Sequence, residues 1–207
     1  MDLQTISAAL DVLVAHRAAH AMPLRKADMG LRSMVRSEGA DIEVSQRLKR
    51  LPKIVEKLGR EPTLSLAKMQ DIAGCRAVLN SIDEERRVQA RLVAHRPPIS
   101  VSDYVATPRS SGYRGVHVIV EYDGRPVEVQ LRTRVMHEWA ITVERVSARI
   151  AVNLKGDGEH AVQQLLQAAS EAMAIEERGG TVGGSLMERM EELRRRAAPY
   201  LEPGGRA

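Results

Sequence analysis

Residues 103–140 read DYVATPRSSGYRGVHVIVEYDGRPVEVQLRTRVMHEWA. Within them Asp123-Gly124 separates two alternating runs, Val116 to Tyr122 and Val127 to Leu131. The spacing predicts a hairpin with a two-residue loop, because both turn positions tolerate positive φ. Tyr122 then lies opposite Arg125, Ile119 opposite Glu128, His117 opposite Gln130 and Gly115 opposite Arg132. Side chains alternate across a strand, so Val116, Val118, Val120, Val127, Val129 and Leu131 share the core face. His117, Ile119, Glu128, Gln130 and Arg132 share the other. An imidazole, a carboxylate, an amide and a guanidinium are costly on one face if buried without partners. That face is therefore either the ordinary wetted side of an antiparallel sheet or the floor of a site for a polar ligand. The pattern alone leaves both open.

Downstream, Thr133 caps a helix from Arg134 to Ile150 that buries Val135, Trp139, Val143, Val146 and Ile150. Upstream, Ile99 to Val105 reads as a short strand. Pro108 to Gly112 is a loop holding Arg109, Ser110 and Ser111. Ser81-Ile82-Asp83-Glu84 is a capping box; the helix behind it buries Ile82, Val88, Leu92 and Val93 and ends at Pro97-Pro98. Ile72 to Leu79 is a central strand, with Asp71 at its start and Arg76 inside it. Such a charged pair is more often a structural ion pair than a site. The next segment back is one-sidedly basic: Arg47, Lys49, Arg50, Lys53, Lys57 and Arg60 stand against Glu56 alone. Val44, Leu48, Leu51, Ile54, Val55 and Leu58 mark its buried side, and Pro52 interrupts the helix or starts a new one. Lys49, Lys53 and Lys57 form one stripe. A merely solvated helix mixes signs for i,i+4 pairing, so phosphate binding competes evenly with a solvated face.

The ends are helical. Asp2 caps a helix with Leu3, Ile6, Leu10, Leu13 and Val14 on one stripe. After Pro23 a second helix turns Leu24, Ala27, Leu31, Met34 and Val35 inward, up to a break at Gly39. These helices carry no visible chemistry and read as packing or oligomerisation elements. Gly156 and Gly158 form a loop before a helix with Val162, Leu165, Leu166, Ala169 and Met173. Gly179-Gly180 and Gly183-Gly184 link it to a last helix. That helix opens at a Ser185-Leu186-Met187-Glu188 capping box and carries the i,i+4 pairs Glu191–Arg195 and Glu192–Arg196. The tail after Pro199 is expected to fray. The expected organisation is N-terminal helices over 1–40, a core over 41–155 and C-terminal helices over 156–207.

A chain of 207 residues with 43% apolar residues supports one domain with extensions. It has no Phe, one Trp and four Tyr, so each aromatic outside the core is informative. A net charge of +4 favours anionic partners only mildly. A single cysteine, Cys75, excludes an intramolecular disulfide and a Cys-rich zinc site. The first twenty residues carry Asp2 and Asp11 and lack a secretion-signal pattern. No run of 18 apolar residues exists, so no membrane span is expected and a cytoplasmic location is. The fold class is α+β: a mixed β-sheet with flanking helices.

DIAGCRAVL, then DYVATPRSSGYRGVHVIVEY, then EVQLRTRVMHEWA resemble the synthetase domain of the RelA/SpoT family, in particular its standalone small alarmone synthetases. RLKRLPKIVEKL resembles the family's ATP-side loop and helix. Four motifs in the right order, from Arg47 to Ile150, make the resemblance specific. It implies a nucleotidyltransferase-like synthetase core, and transfer of pyrophosphate from ATP to the 3′-hydroxyl of GDP or GTP with Mg²⁺. It further implies that Arg47 and Arg76 sandwich adenine and that Lys49 and Lys57 meet the ATP phosphates. Asp71 and Glu128 would hold the metal, Glu128 also accepting the hydroxyl proton. Tyr113 would stack on the acceptor base, Arg109 and Arg114 would contact its phosphates, and His117, Gln130 and Arg132 would line the floor. Lys53 stands where many relatives have Ser, and Gly115 where the acceptor motif often has Ser. Some small relatives modify the 3′ end of tRNA and others prefer adenine acceptors, so acceptor identity stays open, as does a non-catalytic RNA-binding module of the same fold. The terminal helices permit a homo-oligomer.

Overall fold

The structure, a computed structural model, describes residues 2–38, 43–154 and 158–202. The break at Gly39, the loop residue Gly156, the expected segment boundaries and the tail beyond 202 lie outside these residues. Seven α-helices and five strands are described, the strands forming one sheet in the order β1-β2-β5-β4-β3. The chain divides into two compact units that do not follow sequence order. One comprises Met1–Leu79, Asp83–Ser102 and His117–Leu131; the other comprises Asn80–Ile82, Asp103–Val116 and Arg132–Ala207.

The first unit is built on the hairpin. Strand β4 (Val116–Tyr122) and strand β5 (Arg125–Thr133) flank the turn, where Asp123 and Gly124 have φ of 52° and 71°. Both turn residues are left-handed, as a type I′ loop requires. Val118, Val120, Val127, Val129 and Leu131 are almost completely buried, and burial of each stabilises the fold by about 1.5–3 kcal/mol. Strand β2 (Ala73–Leu79) lies between β5 and β1, and β1 (Glu43–Leu48) pairs with it antiparallel. Glu43 to Leu48 is therefore a strand, not the start of the helix that the spacing of Val44, Leu48 and Leu51 predicts. Backbone pairing with β2 outweighs the local pattern, and Pro52 opens α3 (Leu51–Arg60) in its first turn. Ile54 of α3 is buried among Met69 and Ile72, whereas Val55, expected inside, is exposed.

Helix α2 (Ala21–Arg36) buries Leu24, Ala27, Leu31 and Val35; Pro23 lies inside its first turn rather than ahead of it. Helix α1 (Leu3–Ala18) has the expected Asp2 cap, which accepts from the Thr5 amide at 2.8 Å. Its apolar stripe is not core, however: Leu3, Ile6, Leu10 and Val14 are exposed, and Leu13 alone of the five packs against the Ile54 cluster. Helix α4 (Ile82–His95) buries Val88 and Leu92 and is followed by β3 (Ser100–Asp103).

In the second unit Thr133 caps α5 (Arg134–Ile150) by accepting from the Met136 amide. The helix buries Met136, Trp139, Ala140, Val143 and Ile150, while Val135 faces out, one position off that stripe. Helix α6 (Ala161–Glu177) and helix α7 (Gly184–Leu201) pack through Ala168, Ala172, Leu186 and Leu193. The N-cap of α7 is Gly183, not a capping box at Ser185, and Pro199 lies within the helix. Arg195 pairs with Glu192 at i,i+3, 2.5 Å, in place of the expected i,i+4 pairs. No described helix is long and apolar enough to cross a membrane.

Candidate active site

Two cation-bearing elements converge on Asp71 in the first unit. Lys49 leaves β1 with its amide donating to the Ile72 carbonyl at 2.8 Å, and its Nζ reaches Asp71 Oδ2 at 2.6 Å. Lys57, in the last turn of α3, reaches the same oxygen at 3.1 Å. Lys53 turns away to Glu56, so the stripe splits into two converging lysines and one exposed surface pair. Burial pushes the Asp71 carboxyl up, but the two ammonium groups outweigh it and hold it below its ordinary value. Asp71 Oδ1 is buried with no hydrogen-bond partner.

The polar face of the hairpin is neither open nor orphaned. Glu128 and His117 side chains are only 14% and 17% exposed, with His117 Nδ1 2.9 Å from Glu128 Oε1. Gln130 Nε2 donates to Glu128 Oε2 at 2.6 Å. Burial raises the Glu128 carboxyl and the Asp71 charge adds to this, yet the His117 and Gln130 contacts leave it below its ordinary value. Ile119, placed on this face by alternation, is buried as well. On β2, Gly74 lies against Glu128: a Cβ there would meet its carbonyl oxygen at 3.7 Å and its Oε2 at 3.9 Å, ordinary contact distances. The register pairs Gly74 with Arg47 and Arg76 with Ser45, so both arginines project from the same face as Gly74. Arg76 donates to Ser45 Oγ at 3.2 Å; Asp71 is paired with lysines.

A pH prediction follows from Asp71. A carboxyl depressed on folding contributes stability above its unfolded value, about pH 4, and loses it as pH falls through the folded value. The difference in melting temperature between wild type and Asp71→Asn should therefore shrink steadily below about pH 4. A difference that stays constant into strong acid contradicts the paired carboxylate.

Of the residues that the resemblance assigns to the acceptor, Arg109, Tyr113, Arg114 and Arg132 belong to the second unit, and His117 and Gln130 to the first. Tyr113 meets Tyr104 edge-on at 5.8 Å and tilts over Trp139 at 6.5 Å. Arg132 lies 5.0 Å over the Tyr113 ring and donates to its hydroxyl at 3.2 Å. Arg109 is exposed, stacks on Tyr104 at 4.3 Å and donates to the Tyr104 hydroxyl at 2.6 Å. Arg114 is placed otherwise. It is 4% exposed, with Nη1 on Glu177 at 2.7 Å and Nε on Ser170 Oγ at 3.3 Å, while Nη2 is buried without a hydrogen-bond partner.

Several supporting residues had no local signature. Arg17 of α1 donates to the Lys49 carbonyl at 2.8 Å, and Arg32 of α2 to the Val44 carbonyl at 2.6 Å, so both brace β1 and its exit. Ser170 and Glu177 of α6 are a second such pair.

Residues 46–165 match the region found in RelA / SpoT proteins. The chain is 32% identical over 160 residues to the GTP pyrophosphokinase YjbM of Bacillus subtilis, covering 70% of this chain and 73% of that one. It is similar to the crystal structure of the small alarmone synthetase 1 of Bacillus subtilis bound to its product pppGpp, with a TM-score of 0.66 and 26% identity over 91% of this chain and 99% of that one. The same synthetase bound to AMPCPP matches with a TM-score of 0.51 and 28% identity over 91% of this chain and 96% of that one. The chain belongs to the RelA/SpoT family.

Proposed function

We propose that this protein is a GTP diphosphokinase of the small alarmone synthetase type, carrying pyrophosphate from ATP to the 3′-hydroxyl of GDP or GTP. The observation that carries the reading is the convergence of Lys49 and Lys57 on Asp71, in the same unit as Glu128 with its contacts to His117 and Gln130. Names and ligands of the relatives agree: a GTP pyrophosphokinase, a pppGpp complex and an AMPCPP complex.

The residues fit a hard divalent cation. Asp71 Oδ1 has no partner, and its charge is felt at Glu128. Among the described residues no group of three or more His, Cys, Asp or Glu is assembled for a metal. Two carboxylates with the remaining positions left to water and phosphate suit Mg²⁺, which usually takes one or two carboxylates plus substrate. When bound, Mg²⁺ would supply charge neutralisation on the phosphate oxygens.

In the reaction the acceptor 3′-oxygen attacks the β-phosphorus of ATP. The bond from that phosphorus to the bridging oxygen of the α-phosphate breaks, and AMP leaves with that oxygen. The Glu128 carboxylate takes the hydroxyl proton. Lys49 and Lys57 exchange their contact with Asp71 for the ATP phosphates. Arg47 and Arg76 hold adenine with planar guanidinium groups. Tyr113 stacks on the acceptor base beside Arg132, with Arg109 at the phosphates and His117 and Gln130 orienting Glu128. The exposed apolar stripe of α1 supports a homo-oligomer.

Incubation with ATP, GDP and Mg²⁺ should yield AMP in step with pyrophosphorylated acceptor; ADP as the nucleotide product contradicts the reading. Arg76→Ala should raise the KM for ATP about tenfold and that for GDP by less than about twofold, the pattern of a lost ground-state contact on one side. An equal rise in both places Arg76 in a structural role.

A further inference from the structure

Tyr113 lies in a backbone segment seated directly on α6. Gly112 has φ of +87°, and a Cβ there would stand 2.9 Å from the Gln167 Cα and 3.2 Å from the Ser170 Cβ, so glycine alone fits. Ser170 Oγ donates to the Gly112 carbonyl at 2.6 Å and accepts from Arg114 Nε at 3.3 Å. Seven residues on, Glu177 accepts from Arg114 Nη1 at 2.7 Å with one carboxylate oxygen and from the Thr133 hydroxyl with the other. Arg114 follows Tyr113 in the chain, and Thr133 follows Arg132. One carboxylate therefore ties together the residues next to the two side chains that stack on each other. Ser170 and Arg114 are 3% and 4% exposed, and the Glu177 side chain is 8% exposed. Little water screens these charge-assisted bonds, and loss of one partner leaves a buried charge uncompensated. Both α6 positions lie beyond residues 46–165, which match the family region.

We propose that Ser170 and Glu177 are positioning residues for acceptor recognition. Through Gly112, Arg114 and Thr133 they fix the spacing of Tyr113 and Arg132, and so set how tightly the purine of the acceptor is gripped. This rests on the reading of Tyr113 as the acceptor platform.

The test compares Ser170→Ala, Glu177→Gln and Tyr113→Ala in the full chain, with ATP as donor and GDP as acceptor, after circular dichroism shows each folded. Ser170→Ala should raise the KM for GDP about threefold to tenfold, the worth of one net hydrogen bond. Glu177→Gln should raise it about tenfold to a hundredfold. The KM for ATP should stay within about twofold in both. If Glu177→Gln does not fold, Ser170→Ala decides alone. Unchanged constants, an equal rise in both KM values, or a fall in kcat without that split overturns the proposal. If Tyr113→Ala raises the GDP KM while Ser170→Ala leaves it unchanged, this inference falls and the platform reading stands. If Tyr113→Ala leaves it unchanged, both fall.

Discussion

Replacing Glu128 by Gln, or Asp71 by Asn, should lower kcat for pyrophosphate transfer by about 10²- to 10⁴-fold, the range spanned by loss of a positioned general base. Glu128→Gln keeps the shape and one acceptor oxygen for the bond that Gln130 donates, and its NH2 group can donate to His117 Nδ1 in the tautomer that carries the proton on Nε2, so the fold should persist. Only the charge and the basic oxygen are lost. Asp71→Asn leaves Lys49 and Lys57 without their counter-charge, yet both lysines are partly exposed and retain water. Circular dichroism and turnover measured together separate the chemistry from the fold. A folded Glu128→Gln protein with turnover within about threefold of wild type contradicts its role as base and metal ligand.

The second large effect is expected at Tyr113. Stacking of a base on an aromatic ring contributes about 1–3 kcal/mol, or about 5- to 150-fold in binding. Tyr113→Ala should weaken GDP use by that factor while ATP affinity stays nearly constant. Tyr113→Phe keeps the ring but loses the bond that Arg132 donates to the hydroxyl, so a loss of about twofold to tenfold is expected. The two affinities measured for both variants check the assignment. Loss on the ATP side alone removes Tyr113 from acceptor recognition.

The strands and turn of the hairpin were legible because their determinants are local. Asp123-Gly124 dictates the turn, alternation dictates the valine core, and Thr133 caps the helix that follows. The segment before α3 was not. Lys49, Lys53 and Lys57 mimic a helical stripe, but pairing with β2 decides the conformation up to Leu48, and such pairing is invisible to a local window. The same spacing brought Lys49 and Lys57 to one carboxylate and left Lys53 on the surface. Arg114 adjoins Tyr113 in sequence and pairs with Glu177, 63 positions away, and nothing in the loop announces that pair. The apolar stripe of α1 reads as a packing or oligomerisation face by periodicity and is exposed in the folded chain, since periodicity reports a face and not what covers it.

ATP labelled at the γ-phosphate is incubated with the protein and Mg²⁺ in parallel with GDP, GTP, ATP or deacylated tRNA, and the labelled species are separated. Label on the guanine nucleotides, with one AMP formed for each, is the result expected. Label confined to the 3′ end of tRNA or to the adenine nucleotide, or released only as inorganic phosphate, contradicts it.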